Sequence, residues 1–265
     1  MTTLARSSRA TPPVGQLLRE WRERRRISQL DLSIQADISA RHLSFVETGR
    51  SRPTPGMILR LSEQLDVPLR ERNALLLAGG YAPAYPEHSL DEPELMRLRA
   101  VLRQILTGHQ PYPALVVNRW WEMLDGNAAI QVLTDGCDPA LLTPPVNALR
   151  VSLHPGGMAP RIANLPEWRA HILERLHRQV QSTRDPRLAE LYGELSAYPG
   201  GVAERPELTD VAVPLRLRHG DRELAFFSMT AVVGAPLDVT VAEVAIESFY
   251  PADAETAEAL HTIGR

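Results

Sequence analysis

SQLDLSIQADISARHLSFVETGRSRP, residues 28–53, decides how the first part of this chain folds. It reads as two short helices joined by a tight turn. Ser28 and Ser39 suit helix N-caps, because a serine oxygen accepts from first-turn amides that have no partner within the helix. Asp37 falls at the turn, where a short polar side chain tolerates left-handed backbone. Gly49 ends the second helix. At about 100° per residue, Leu43, Val46 and Glu47 share one side of that helix, so Leu43 and Val46 face the core. Arg41, Ser44, Phe45 and Thr48 fall on the far side. A guanidinium can pair with guanine in the major groove and an apolar side chain can meet a thymine methyl, which gives the outward Arg41 and Phe45 a DNA-binding reading. Arg50 and Arg52 follow the helix and suit phosphates, and Gln29 at the first helix N-terminus can reach one too. The plainer alternative is a helical hairpin with a solvated basic face. The coincidence of caps, turn and arginines favours double-stranded DNA.

Residues 14–66 resemble the Xre-type helix-turn-helix domain of phage repressors and many bacterial regulators. The resemblance implies that Ala40, Arg41, Ser44 and Phe45 lie at the DNA surface and that Gln29 holds a backbone phosphate; Ser39 and Thr48 are further candidates for that surface. Two positions depart from the family pattern: Asp37 stands where glycine is usual and Ser33 where alanine is usual.

Working outward, Val14–Arg25 reads as a helix with a Leu17, Leu18 and Trp21 stripe, and the arginines at its end complement the helix dipole. Further helices are expected from Pro55 to Leu65 and from Pro68 to Gly79. Tyr81-Ala-Pro-Ala-Tyr-Pro cannot continue a helix and reads as a stiff joint. The expected organisation is a disordered arm over 1–12, a five-helix DNA-binding domain over 13–80, a linker over 81–92, a second domain over 93–255 and a tail over 256–265.

Charge follows the same division. Residues 1–52 hold ten arginines against five acids, whereas 88–265 hold 16 arginines against 23 acids. A basic head suits a polyanion and an acidic body stays off it. The single cysteine, Cys137, excludes an intrachain disulfide and a multi-cysteine metal site, and a reducing cytoplasm is the expected setting. No apolar run approaches the roughly 20 residues that span a bilayer, so no membrane is expected.

The second domain opens with a helix from Pro93 to Thr107. Ala114–Asn118 and Trp120–Leu124 then read as strands turned by Asp125-Gly126, with Asn127 capping a following helix. Residues 139–199 read as mostly helical, broken at His154-Pro-Gly-Gly. Val211–Arg218 alternates as a strand, His219-Gly-Asp makes a hairpin turn, and Leu224–Val233 pairs back. Val241–Phe249 reads as the last strand, although Thr240 and Glu243 also fit a capping box. The sum is an α+β domain with a five-stranded antiparallel sheet, a helical insert, and helices on one side.

Asn118-Arg-Trp-Trp, Asp125-Gly-Asn, Asn147-Ala-Leu-Arg, Leu153-His-Pro, Asn164-Leu-Pro-Glu-Trp and Ala245–Asp253 together resemble the ligand-binding domain of MmyB-like transcription regulators. Arg70–Tyr81 matches the join in that family. The resemblance implies a PAS-like fold and a small, mainly apolar ligand, with fatty acids the suggested class. Trp120, Trp121, Trp168, Phe226, Phe227 and Met229 can line such a pocket or serve only as core. Arg161 and Asn164 can hold a carboxylate at its mouth, and a salt bridge is the alternative for Arg161.

No Gly-Lys-Ser/Thr phosphate loop, Gly-x-Ser-x-Gly elbow or His-Glu-x-x-His motif is present, so an enzyme is not expected. His171 and His177 are about 240° apart on a helix and cannot share a metal. Neither a metal nor a cofactor such as haem or flavin is expected. The expected function is sequence-specific transcription regulation by a homodimer on a near-palindromic operator, tuned by the ligand. The alternative is a regulator whose second domain serves only dimerisation or protein-partner binding.

Overall fold

The computed structural model describes residues 12–201, 203 and 212–263. The arm assigned to residues 1–12 therefore lies outside the described residues except for Pro12, and so does Val211. The chain divides into two units, residues 1–87 with 237–239, and residues 88–236 with 240–265.

The first unit is five helices: α1 (Val14–Arg24), α2 (Gln29–Gln35), α3 (Ala40–Glu47), α4 (Pro55–Gln64) and α5 (Leu69–Ala78). Their starts follow from local chemistry. Ser28 Oγ accepts from Asp31 N, Ser39 Oγ from His42 N and Thr54 Oγ1 from Met57 N. Such caps each contribute about 1 kcal/mol. Asp37 sits at φ 52° and Gly49 at φ 75°, closing α2 and α3 in left-handed backbone. Leu18, Trp21, Leu32, Leu43, Val46, Ile58, Leu61, Leu65, Leu75 and Leu76 form one core. α1 crosses α3 so closely that a Cβ on Gly15 would lie 2.0 Å from the Val46 carbonyl oxygen. Only glycine permits that approach.

The second unit begins with α6 (Met96–Gly108) and contains β1 (Ala114–Val117), β2 (Met123–Gly126), α7 (Gln131–Thr134), α8 (Ala148–Leu153), α9 (Leu165–Thr183), α10 (Pro186–Ala197), β3 (Leu215–His219) and β4 (Arg222–Val232). Then come the one-turn α11 (Val239–Glu243), β5 (Ala245–Pro251) and α12 (Ala254–Ile263). The strands form one antiparallel sheet in the order β2-β1-β5-β4-β3. Its inner face packs Leu115, Val117, Leu215, Leu217, Leu224, Phe226 and Phe249 against Trp168, Ile172 and Leu176 of α9 and Leu188, Leu191 and Leu195 of α10.

Four features differ from the sequence reading. Helices lie on both faces of the sheet: Leu102 and Leu106 of α6 pack on the outer face against Ala114, Val116 and Ile246. Trp120 and Trp121 are not strand. They occupy a tight turn in which Asn118 Oδ1 accepts from the amides of both Trp120 and Glu122, and Trp121 adopts φ 65°. Residues 239–243 form one helical turn, held at its end by Glu243, which accepts from Arg119 Nη1 at 2.7 Å, and the last strand starts only at Ala245. Finally, residues 254–263 form a helix whose Ala259 and Leu260 are buried in the main core, whereas the sequence reading left residues 256–265 as a tail.

Candidate functional site

Two regions combine exposed or enclosed space with ordered polar groups. The first is the outer face of α3. Leu43 and Val46 are buried, while Arg41, Thr48 and Arg50 are exposed and Ala40, Ser44 and Phe45 half-buried. The Arg41 guanidinium lies 5.4 Å from the Phe45 ring centroid and that of Arg50 6.0 Å, so two cations flank one aromatic face. Among the described residues neither arginine pairs with a carboxylate. Both charges stay available to an external anion.

A buried clamp holds α3 in place. Arg22 Nε and Nη2 donate to Glu47 Oε1 and Oε2 at 2.7 and 2.8 Å, and Arg22 Nη1 donates to the Ile27 carbonyl. The hydrogen bonds that Arg22 donates to Glu47 raise its pKa further above its already high value. Gln29 Nε2 donates to Glu47 Oε2 at 2.7 Å, so the Gln29 side chain is anchored to α3. An amide nitrogen carries two hydrogens, and the second has no partner among the described residues. Arg52 also has partners within its own unit. Its Nη2 donates to the Gly79 carbonyl at 2.8 Å and its guanidinium lies 5.3 Å from the Tyr81 ring, which ties the end of α5 to the segment after α3. The arginines ending α1 are structural in the same sense: Arg25 donates to the carbonyls of Leu65 and Asp66, and Arg24 stacks on Trp21 at 3.8 Å.

The second region is a cavity of about 90 Å³ between the inner sheet face and α8 and α9. Apolar walls come from Leu115, Met123, Ile130, Val146, Leu149 and Ile172 among others, and Trp121 and Trp168 supply aromatic faces. The left-handed backbone at Trp121 turns its indole inward. A non-glycine residue there costs on the order of 1 kcal/mol. The indole is held by Nε1 donating to Gln179 Oε1 at 2.9 Å, while Gln179 Nε2 donates back to the Arg119 carbonyl. Trp168 Nε1 donates to Ser152 Oγ at 3.0 Å, and His171 stacks on the Trp168 ring. One end of the cavity is polar. There Arg175 lies 4.4 Å over the Trp121 ring and donates through Nη2 to Glu247 and Thr230, and Thr230 Oγ1 donates to Glu247 at 2.7 Å. Burial, then the charges of Arg175 and Arg178, hold His171 below the ordinary imidazole value.

The comparisons follow the same division. A helix-turn-helix domain family matches residues 13–75, and the MmyB-like transcription regulator ligand binding domain matches residues 98–263. The chain belongs to the MmyB-like transcription regulators. RghRB, an HTH-type transcriptional regulator from Bacillus subtilis (strain 168), is 37% identical over 76 residues, 28% of this chain and 52% of RghRB. The chain thus spans about half the length of the curated relative it matches.

Of the ligand residues expected for this MmyB-like regulator, the structure brings Trp121 and Trp168 to the cavity and not the others. Trp120 lies outside it, with Nε1 donating to Asp185 and Arg187 stacked at 4.2 Å. Phe226 is fully buried core, edge-on to Phe249. Phe227 and Met229 occupy alternate positions of β4 that point to the outer face, and they are 39% and 61% exposed. Arg161 does not line the cavity. Its guanidinium donates to the main-chain carbonyls of Val132 and Leu133. Asn164 Nδ2 donates to the Pro214 carbonyl and its Oδ1 accepts from Arg216 N, pinning β3 in register.

The sequence reading missed Arg175, His171 and Glu247. A signal existed for Glu247. It stands between Ala245 and Phe249 among the inward positions of β5, whose other members are apolar, where a carboxylate has no stabilising role without a partner.

Other motif residues work as staples. Asn127 donates to the carbonyls of Leu106 and Tyr112 and accepts from Ala114 N rather than capping a helix. Asn147 caps α8 through Arg150 N and donates to the Trp120 carbonyl. Cys137 is buried, which pushes its thiol pKa up and disfavours the thiolate. Among the described residues, His88, Glu92 and Glu94 lie close enough to share a cation, but they are largely exposed and nothing else there points to an ion.

Proposed function

We propose that this MmyB-like regulator binds a near-palindromic double-stranded operator as a cytoplasmic homodimer. A small, mainly apolar ligand in the Trp121–Trp168 cavity, a fatty acid or a derivative of one, shifts its operator affinity. The observation that carries the DNA reading is Arg41 and Arg50 around Phe45, paired with no carboxylate among the described residues, on the free face of a helix whose other face is buried. Side chains with those donors and that apolar edge suit base edges and phosphates. Gln29, Ser39, Ala40, Ser44 and Thr48 complete the surface in this reading.

A mobility-shift titration on the DNA upstream of the coding sequence, repeated across salt concentrations, tests it. Binding should weaken steeply with salt. Arg41→Ala should cost about 1–3 kcal/mol and relax sequence preference. No binding at low salt, or an Arg41→Ala variant that binds as the parent does, refutes it.

Two-fold symmetry matches two half-sites roughly 34 Å apart. An outer apolar face supports the dimer. Arg103 of α6 pairs with Asp125 at the β2 side, so Val101 and Ile105 lie on the opposite flank, toward β4 with its exposed Phe227 and Met229. Met229→Glu should produce monomers in sedimentation velocity.

The cavity volume favours a second reading. About 90 Å³ is less than the ~150 Å³ that accepts a benzene-sized guest, so the pocket must widen to hold an acyl chain. If it does not, the second unit serves dimerisation or partner binding alone. Native mass spectrometry separates the two, by a lipid-sized adduct or a clean dimer mass.

A further inference from the structure

We propose that the polar end of the cavity selects an alkyl ligand with an uncharged head group that both donates and accepts a hydrogen bond, such as a primary alcohol or amide, over a free carboxylate, and that Glu247 sets this preference. The inference rests on the ligand reading above and names the chemistry of the head group.

The charge balance comes first. Arg175 and Glu247 are the two charged side chains lining the cavity, and they already pair with each other. Glu247 is only 7% exposed at its side chain, and Thr230, its cross-strand neighbour, donates to the same Oε1 that Arg175 holds. The polar end is therefore close to neutral before any ligand arrives. An imidazole held below its ordinary pKa adds no positive charge at neutral pH. A carboxylate entering there would meet a buried carboxylate. It could reach Arg175 only by sharing it with Glu247 or by stripping it away, which leaves a buried anion unpaired.

Hydrogen-bond demand points the same way. Glu247 Oε2 receives no donor among the described residues, so it accepts from a ligand. Arg175 uses Nη2 on Glu247 and Thr230 and retains further N–H groups, so it donates to a ligand. A hydroxyl or a primary amide satisfies both demands at once. An ionised carboxylate only accepts, and an ester cannot donate.

The test uses full-length protein and three probes of one chain length: octan-1-ol, octanamide and octanoic acid. Affinities are read at pH 7.5 by calorimetry and by indole fluorescence. The parent should bind the alcohol and the amide at least tenfold more tightly than octanoate. Glu247→Gln keeps the shape and the acceptor for Arg175 but removes the charge, so octanoate should gain and overtake the alcohol. Octanoate binding the parent as tightly as the neutral probes overturns the proposal, as does a preference that Glu247→Gln leaves unmoved. If Glu247→Gln does not fold, the ranking on the parent still decides the head group. Failure of all three probes on the parent overturns the ligand reading itself, and this inference with it.

Discussion

Replacing Glu47 by alanine should collapse the first unit while leaving every side chain on the outer face of α3 unchanged. The Glu47 carboxylate is 1% exposed at its side chain and receives two hydrogen bonds from Arg22 and one from Gln29. Truncation leaves the Arg22 guanidinium, itself only 10% exposed, with the Ile27 carbonyl as its remaining buried partner. Arginine cannot escape by losing its proton, since its pKa is above the reach of any practical buffer. Removing one member of a buried pair costs about 3–5 kcal/mol, a large share of what holds a small domain together. Hydrogen exchange read by mass spectrometry on the full chain resolves the effect by peptide. Protection across α1 to α3 should fall by about two to four orders of magnitude while α9 and α10 keep theirs. Operator binding should be lost with it. The double variant Arg22→Met with Glu47→Leu removes both charges and should recover most of the stability, because a buried pair can be exchanged for apolar volume at little net cost. A loss below about 1 kcal/mol in Glu47→Ala, or a double variant no better than the single one, would refute the assignment of this clamp as the device that seats α3.

The remaining predictions concern packing, pH and the pocket. Gly15→Ala should destabilise the first unit by about 1–3 kcal/mol in urea titration, since its Cβ would meet the Val46 carbonyl at 2.0 Å. Folding keeps His171 neutral by burial and by the neighbouring Arg175 and Arg178, whereas the unfolded chain takes up a proton near pH 6.5. The resulting stability is complete above that pH and is lost as pH falls through 6.5 toward the lower folded value. His171→Asn should therefore show a flatter stability profile over pH 5–7 in thermal melts. Arg161→Met should lower stability by about 1–3 kcal/mol, because the Val132 and Leu133 carbonyls lose their donor, and should leave octan-1-ol affinity within threefold of the parent. A large affinity loss in that variant would return Arg161 to the ligand site.

The first unit was legible in the sequence because its signals are short-range. Ser28 and Ser39 cap helices a few residues away, Asp37 and Gly49 end them, and Leu43 and Val46 face inward by simple periodicity. The pocket was less legible. Arg161 and Asn164 carry the right chemistry for a ligand, but carbonyls 28 and 50 residues away occupy them. Phe227 and Met229 are apolar, yet their strand register turns them outward. The 239–243 segment is rich in valine, yet it forms a helical turn whose Glu243 is held by Arg119, 124 residues away.

Composition, caps and hydrophobic spacing alone determined a helix-turn-helix head with Arg41 and Phe45 on its free face, followed by a five-stranded α+β body. Only the tertiary structure decided which polar groups meet. Arg22 and Glu47 are 25 residues apart, and Arg175 and Glu247 are 72 apart. Helix and strand periods report which way a side chain faces within its own element. Whether a charge finds its partner depends on strand register and helix crossing, and those are set by packing across the whole unit.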